Sequence, residues 1–305
     1  MAYAVEKNEP VSQAIPRIVK ERVDLALEQL LDVKDSPAER IHNARKRFKE
    51  SRAAVRLIRF SLGDQFTIEN TWFRDAGRRL AALRDADAVL ESAALLADHA
   101  AGYHERRLVR RLRRRLGHRQ RLAKRTDLTT QIDDAARELP IAKARVDLWP
   151  QLPADFSAIA AGFRQTYRDG RKAFHAAENS PSPESFHEWR KRVKDHWYQV
   201  QILRDIAPAF TKPYRARIET LSDALGDRHD LDVLRQTIID LGDFGNRFEL
   251  ERMHAMIDRR AARLSETAME VGAEIYAEPP KVVLNLFESH WLIWSGERPL
   301  VRSIG

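Results

Sequence analysis

The chain has no cysteine, and its 12 glycines and 13 prolines in 305 residues are scarce inside the periodic stretches. Without cysteine there is neither a disulfide nor a thiolate metal site. No apolar run approaches the ~18 residues of a membrane-spanning helix, so no membrane insertion is expected. The opening MAYAVEKNEP lacks the basic start and apolar core of a signal peptide, which makes the cytoplasm the expected location. No stretch alternates apolar and polar residues with period two, so strands are not expected and the fold class reads as all-α. Gly-rich phosphate loops, nucleophile elbows and paired carboxylates in an obvious cleft are also missing, and no cofactor is implied. Gly170 and Gly226 stand alone and suit close helix packing or helix ends.

What the chain does have is positive charge, net +8, and the excess is clustered. Clustered charge of one sign points to an anionic partner: nucleic acid, a membrane surface or a phosphate-rich ligand. The clearest cluster lies in ERIHNARKRFKESRAAVRLIRF (39–60), and much of it returns as FHEWRKRVKDHWYQVQILR (186–204) at a constant offset of 145. His42, Arg45, Lys46, Arg47, Lys49, Val55 and Arg59 meet His187, Arg190, Lys191, Arg192, Lys194, Val200 and Arg204. The same offset carries Leu80, Asp85 and Asp87 onto Leu225, Asp230 and Asp232. Two distant blocks in one register imply an internal duplication. The expected organisation is two similar halves, 10–150 and 151–295, with irregular tails at 1–9 and 296–305.

On a helix, His42, Arg45, Lys49, Arg52 and Arg56 fall within an arc of roughly 80°. Ile41, Ala44, Phe48, Val55, Ile58 and Leu62 form an apolar stripe beside it. Most charge runs are solvated helix faces. Here, however, only Glu39 and Glu50 lie between positions 37 and 60, and neither points into the stripe. Neighbouring cations at i, i+3 and i, i+4 repel one another, which favours a bound polyanion. In the repeat His187, Arg190 and Lys194 keep the stripe, but Trp197 and Gln201 replace Arg52 and Arg56, so the second half is expected to contribute less.

Periodicity and punctuation place the helices. An amphipathic helix runs over Ile15–Val33, and Ser36-Pro37-Ala38-Glu39 forms a capping box that opens the basic helix, closed by Gly63-Asp64. A helix over Trp72–Ala97 follows. His104–Arg125 then carries eleven Lys or Arg against the single acid Glu105, with Leu108, Leu112 and Leu116 as a packing seam. Its Arg107, Arg110, Arg111 and Arg114 share one broad face, expected to join the same electropositive surface. A short helix over 129–139 leads to a connector at 140–153. The second half places helices at Phe156–Asn179, from the Ser182-Pro183 cap to Pro208, at Tyr214–Asp240, at Arg247–Ala277, and ending at Trp291–Trp294.

These residues resemble the CHAD domain (conserved histidine α-helical domain). The likeness rests on His42-x-x-Arg45-Lys46 with Lys49 and Arg52, its repeat His187-x-x-Arg190-Lys191 with Lys194, and LGDRHDLDVL at 225–234 with a weaker counterpart at 80–90. The closing AMEVGAEIYAEPPKVVLNLFESHWLIW (268–294) adds to it. The resemblance covers about residues 10–295. It implies two four-helix bundles about a pseudo-twofold axis with a basic cleft between them, binding of inorganic polyphosphate, and association with polyphosphate granules. Nothing in the chain resembles the triphosphate-tunnel domain to which many members are fused. Under this reading His42, Arg45, Lys46, Lys49, Arg52, Arg56, His187, Arg190, Lys191 and Lys194 contact the ligand, helped by the arginines of 104–125, with no catalytic or metal-binding residue.

Two other classes fit parts of the sequence. An HD-type metal phosphohydrolase could use His229-Asp230 with His187, His254 and Asp258, but the first half has Arg84-Asp85 at the matching place. There, Asp85, Asp230 and Asp232 are better suited to ion pairs with a neighbouring helix. A nucleic-acid binder would suit the charge, with Trp189 or Trp197 stacking on bases, but Trp189 belongs to the apolar stripe. The repeated histidines can gain charge beside a polyanion or serve structurally through a hydrogen bond. His196 points to the apolar side and reads as a core-edge residue.

Overall fold

The computed structural model describes residues 3–81, 85–123, 129–242 and 245–297, with side chains outside 81–88 and 120–128. Among the described residues every regular element is a helix, so the chain is all-α. The expected Arg84, Asp85 and Asp87 lie outside the described side chains, as do residues 298–305 of the C-terminal tail.

The first half supplies α1 (Val11–Leu31), α2 (Pro37–Leu57), the one-turn α3 (Arg59–Leu62), α4 (Gln65–Ala81), α5 (Asp85–Asp98), α6 (Gly102–Ala123) and α7 (Thr129–Val146). The second supplies α8 (Ser157–Asn179), α9 (Pro183–Ile202), α10 (Pro208–Leu241), α11 (Arg247–Ile275) and α12 (Pro280–Ser295). Helices α1, α2, α4 and α7 pack as one bundle, and α8, α9, α10 and α12 with the end of α11 form a second. The pair α5 and α6 packs on itself and crosses to α10 and α11. There Leu108, Leu112 and Leu116 are buried as the expected seam. Glu105, also buried, reaches Arg259 of α11 at 2.7 Å.

Some of these elements differ from the sequence reading. Of the helix expected over Trp72–Ala97, the part to Ala81 belongs to α4 and the part from Asp85 to α5, while 82–84 lie outside the described residues. Helix α7 runs on through Pro140 to Val146 in place of a connector from 140. Leu139, Ala142 and Val146 are buried, and that packing outweighs the hydrogen bond the proline removes. Pro208 does not end α9, which stops at Ile202. It begins α10, where its fixed φ and missing N–H suit the first turn. Residues 3–9 have no helix, as expected, but they are not a loose lead-in. Ala4 and Val5 are buried, Val5 N donates to Ile202 O (3.0 Å), and Tyr3 OH donates to Glu50 O (2.9 Å). The segment straps α2 to α9.

The two bundles meet where α8 crosses the end of α2. A Cβ at Gly162 would stand 1.9 Å from the Leu57 carbonyl oxygen and 2.5 Å from that of Arg56, so only glycine allows this approach. Gln199 Nε2 donates to Ala53 O at 3.4 Å, and Ser61 Oγ to Ala158 O at 3.2 Å, across the same junction. The isolated Gly170 serves close packing as expected, lying under the Tyr276 ring.

Candidate functional site

Both cation-bearing helices start with the same device. Ser36 Oγ accepts from Glu39 N (3.3 Å) while the Glu39 carboxylate accepts from Ser36 N (3.0 Å). On α9, Ser182 and Ser185 exchange the equivalent bonds at 3.1 and 2.9 Å. With each helix start fixed, burial of Ile41, Ala44, Phe48 and Val55 on α2, and of Phe186, Trp189, Val193 and Val200 on α9, sets the rotation of its cationic stripe.

The stripes meet at the junction of the halves, where α4 closes a third side around a cavity of about 400 Å³. Arg45, Lys49, Arg52 and Arg56 line it from α2, and Arg74 and Arg78 from α4. His187, Arg190, Lys191, Arg192, Lys194 and Asp195 line it from α9, with Phe48, Phe73 and Gly77 between. Ten cations therefore face one carboxylate. Neither acid of α2 relieves them. Glu39 is spent on the cap, and buried Glu50 pairs with Arg47 (2.7 Å) and Arg22 (3.6 Å).

Carboxylates at the margin hold part of this charge. Asp195 pairs with Arg56, Glu188 with Lys191 and Arg192, and Asp75 with Arg74 (2.7 Å) and Arg78 (3.8 Å). Among the described residues, Arg52, Arg190 and Lys194 make no ion pair. The Nε atoms of Arg52 and Arg190 are buried without a hydrogen-bond partner. Burial, followed by repulsion from Arg74, Arg78 and Arg192, lowers the Arg52 pKa. Burial and the nearby Arg52, Arg192 and Arg59 bring Arg56 down to about 9. Lys194 is lowered by burial first, with Arg190 and Lys46 adding to it against the pull of Asp223 and Glu219. Cations held this closely gain most from an anion that touches several at once.

The structure thus gathers eight of the expected contacts: Arg45, Lys49, Arg52, Arg56, His187, Arg190, Lys191 and Lys194. His42 and Lys46 are exposed on α2 and do not line the cavity. Arg107, Arg110 and Arg114 line a different concavity, and Arg111 reaches Glu249 of α11 at 2.9 Å. The α6 face is therefore separate from the cavity, because the leucine seam that fixes its rotation packs on α5 and α11. Each of α2 and α9 brings four cations, so the shortened stripe of the second half does not empty its side. Trp197 stands outside the lining, with the Lys194 ammonium 5.7 Å from its ring centroid.

Sequence reasoning missed Arg74 and Arg78. FRDAGRRL reads as a packing helix through Phe73, Ala76 and Leu80, and its arginines carry no repeat to mark them. Their i, i+4 spacing on the flank of that seam was the available signal. Arg192 was matched to Arg47 by the offset, yet Arg47 turns to Glu50 and Gln29 while Arg192 faces the cavity.

The histidines separate by environment. His196 is fully buried, with Nε2 3.0 Å from Tyr214 OH, and burial lowers it to about 3, so it is a core residue as expected. His187 Nδ1 lies 3.2 Å from His229 Nδ1. Asp232 pairs with Arg228 on its own helix (2.9 Å) and not, as expected, with a neighbouring one. Asp258 is held by Arg235, and among the described residues no three His, Asp or Glu side chains converge as a metal-binding group. No described helix is long and apolar enough to cross a membrane.

A family model described as the CHAD domain matches residues 17–238. Among solved structures, the chain is similar to the crystal structure of the CHAD domain from the plant Ricinus communis. The identity is 17% over 95% of this chain and 94% of that chain, with a TM-score of 0.48. No curated protein matches.

Proposed function

Since the chain belongs to the CHAD domain family, we propose that the cavity between α2, α4 and α9 binds inorganic polyphosphate and does not cleave it. The observation that carries this reading is the ten-to-one excess of cations over carboxylates, with Arg52, Arg190 and Lys194 making no ion pair among the described residues. Polyphosphate is a flexible chain with a charge on nearly every unit and no base to read. Its site needs dense adaptable cations: guanidinium groups that meet two phosphate oxygens at once, and ammonium groups that act as mobile point charges. The rings in this wall, Phe48 and Phe73, are 2% and 1% exposed, which leaves no face for a nucleobase to stack on. In a cell with polyphosphate granules, the same site would bring the protein to them.

The hydrolase reading keeps His229-Asp230 as its starting point. The surroundings of His229 argue against it as a metal ligand: its Nδ1 faces His187, and burial, followed by the nearby Arg190 and Arg228, disfavours positive charge there. Calorimetric titration with long polyphosphate at two salt concentrations, with orthophosphate measured in the same samples, tests both readings. The binding reading expects an affinity that falls steeply with salt and no orthophosphate. Orthophosphate release that depends on Mn²⁺ or Mg²⁺ and is lost in His229→Ala would establish the hydrolase.

A further inference from the structure

On α6, Arg107, Arg110 and Arg114 line, with Arg113, Tyr103 and Leu90 of α5, an open concavity of about 580 Å³. Helical spacing puts Tyr103, Arg107, Arg110 and Arg114 on one face, about 16 Å from end to end. Leu108, Val109, Leu112 and Leu116 are buried on the other side and fix that face outward.

The charge of this groove is not balanced from within. The lone acid of α6, Glu105, is buried away from it, accepting from Ala101 N (2.7 Å) and Arg259 (2.7 Å). Glu249 holds Arg111 on the α11 side. Among the described residues no carboxylate pairs with Arg107, Arg110, Arg113 or Arg114.

The groove differs from the cavity in one decisive respect. Its ring, Tyr103, is 62% exposed, and Leu90 offers apolar surface beside the arginines. An inorganic phosphate chain gains nothing from either. A polyanion that carries flat apolar rings gains from both, because a base can stack on the tyrosine and cover the leucine while the arginines hold phosphates. We propose that the α6 groove is a second binding site, distinct from the cavity, for single-stranded nucleic acid.

The test uses the full chain and labelled oligouridylate, with polyphosphate titrated separately. Tyr103→Ala is expected to weaken oligouridylate roughly 5- to 150-fold, the range for loss of one stacked base, and to leave polyphosphate unchanged. Tyr103→Phe, which keeps the ring, should bind nearly as the parent does. The triple change Arg107→Gln, Arg110→Gln, Arg114→Gln should flatten the log–log salt slope for oligouridylate by about 2. Reversal of the cavity charges, Lys49→Glu with Arg52→Glu, should remove polyphosphate binding and keep oligouridylate binding. A parent chain that does not bind oligouridylate overturns the proposal, whether or not it binds polyphosphate. So does a folded Tyr103→Ala variant with unchanged affinity, or an arginine variant that loses both ligands equally, since either makes the groove a general polyanion face. Failure of polyphosphate to bind, with oligouridylate retained, would reject only the reading of the cavity.

Discussion

His187 in the cavity wall and His229 on α10 face each other through their Nδ1 atoms, with ring centroids 4.5 Å apart. A hydrogen bond between these atoms needs one proton and one lone pair, so at most one ring of the pair carries charge. Burial lowers both pKa values, His229 to about 4. Lys191 and Arg190 push His187 further down, while Glu188 and Asp232 pull against them; Arg190, His187 and Arg228 add to the depression of His229.

From that pair follows a pH dependence of binding. Both rings are neutral in the free protein near pH 7, and a polyanion in the cavity raises the pKa of His187. Binding therefore takes up a proton, and affinity should rise several-fold as pH falls from about 7.5 to about 5.5. Free-protein stability should run the opposite way. Folded pKa values below the unfolded one mean that stability is complete above about 6.5 and declines as pH falls toward the folded values. Titrations in buffers of different ionisation enthalpy measure the uptake directly, and His187→Gln should abolish it. Equal heats in all buffers would show that His187 stays neutral.

Arg52 should trade stability against binding. Its buried Nε has no partner and its charge meets three other arginines, so it costs the empty protein free energy. Arg52→Met keeps much of the aliphatic stem and removes the charge. The variant should melt a few degrees higher than the parent and bind polyphosphate at least several-fold more weakly. A lower melting temperature would mean that the guanidinium stabilises the fold.

The arginines of α4 belong to the site even though no repeat marks them. Arg74→Gln with Arg78→Gln should weaken polyphosphate and flatten its salt slope by about 1–2. Since α2 and α9 each place four cations in the cavity, reversing Arg190 and Lys194 should harm binding about as much as reversing Lys49 and Arg52. A clearly larger loss from the α2 pair would restore the first half as the dominant surface.

Gly162 controls the cavity from outside it. Alanine there would force α8 away from the Leu57 and Arg56 carbonyls, at a cost of about 3 kcal/mol for overpacking against backbone. Polyphosphate affinity should fall with it, because Arg56, whose carbonyl the new methyl would meet, lines the cavity. Chemical denaturation and calorimetry on Gly162→Ala check both effects, and an unchanged melting profile would mean that the junction yields easily.

Much of this was readable in the sequence because it depends on local pattern. The capping box at Ser36, the N-cap at Ser182, the stripes of α2 and α9, and the buried seam of α6 follow from residue spacing alone. What escaped depends on tertiary placement. Arg74 and Arg78 join the site only because α4 lies against α2. His42 and Lys46 flank Arg45, which lines the cavity, but both point into solvent outside the lining. Continuation of α7 through Pro140 was likewise decided by its packing on α1, which no local rule contains.

The course of α5 and α6 bears on how the two halves exist as bodies. Their apolar faces, with Leu96, Leu108 and Leu112, are covered by α10 and α11, which come from the other half of the chain. Neither half closes its own surface. A chain cut within the segment 147–156 would yield two fragments that each expose a long apolar strip, insoluble apart and soluble once mixed. Neither half is therefore a unit of folding by itself, and the basic cavity, walled by α2 and α4 on one side and α9 on the other, exists only where both halves are joined.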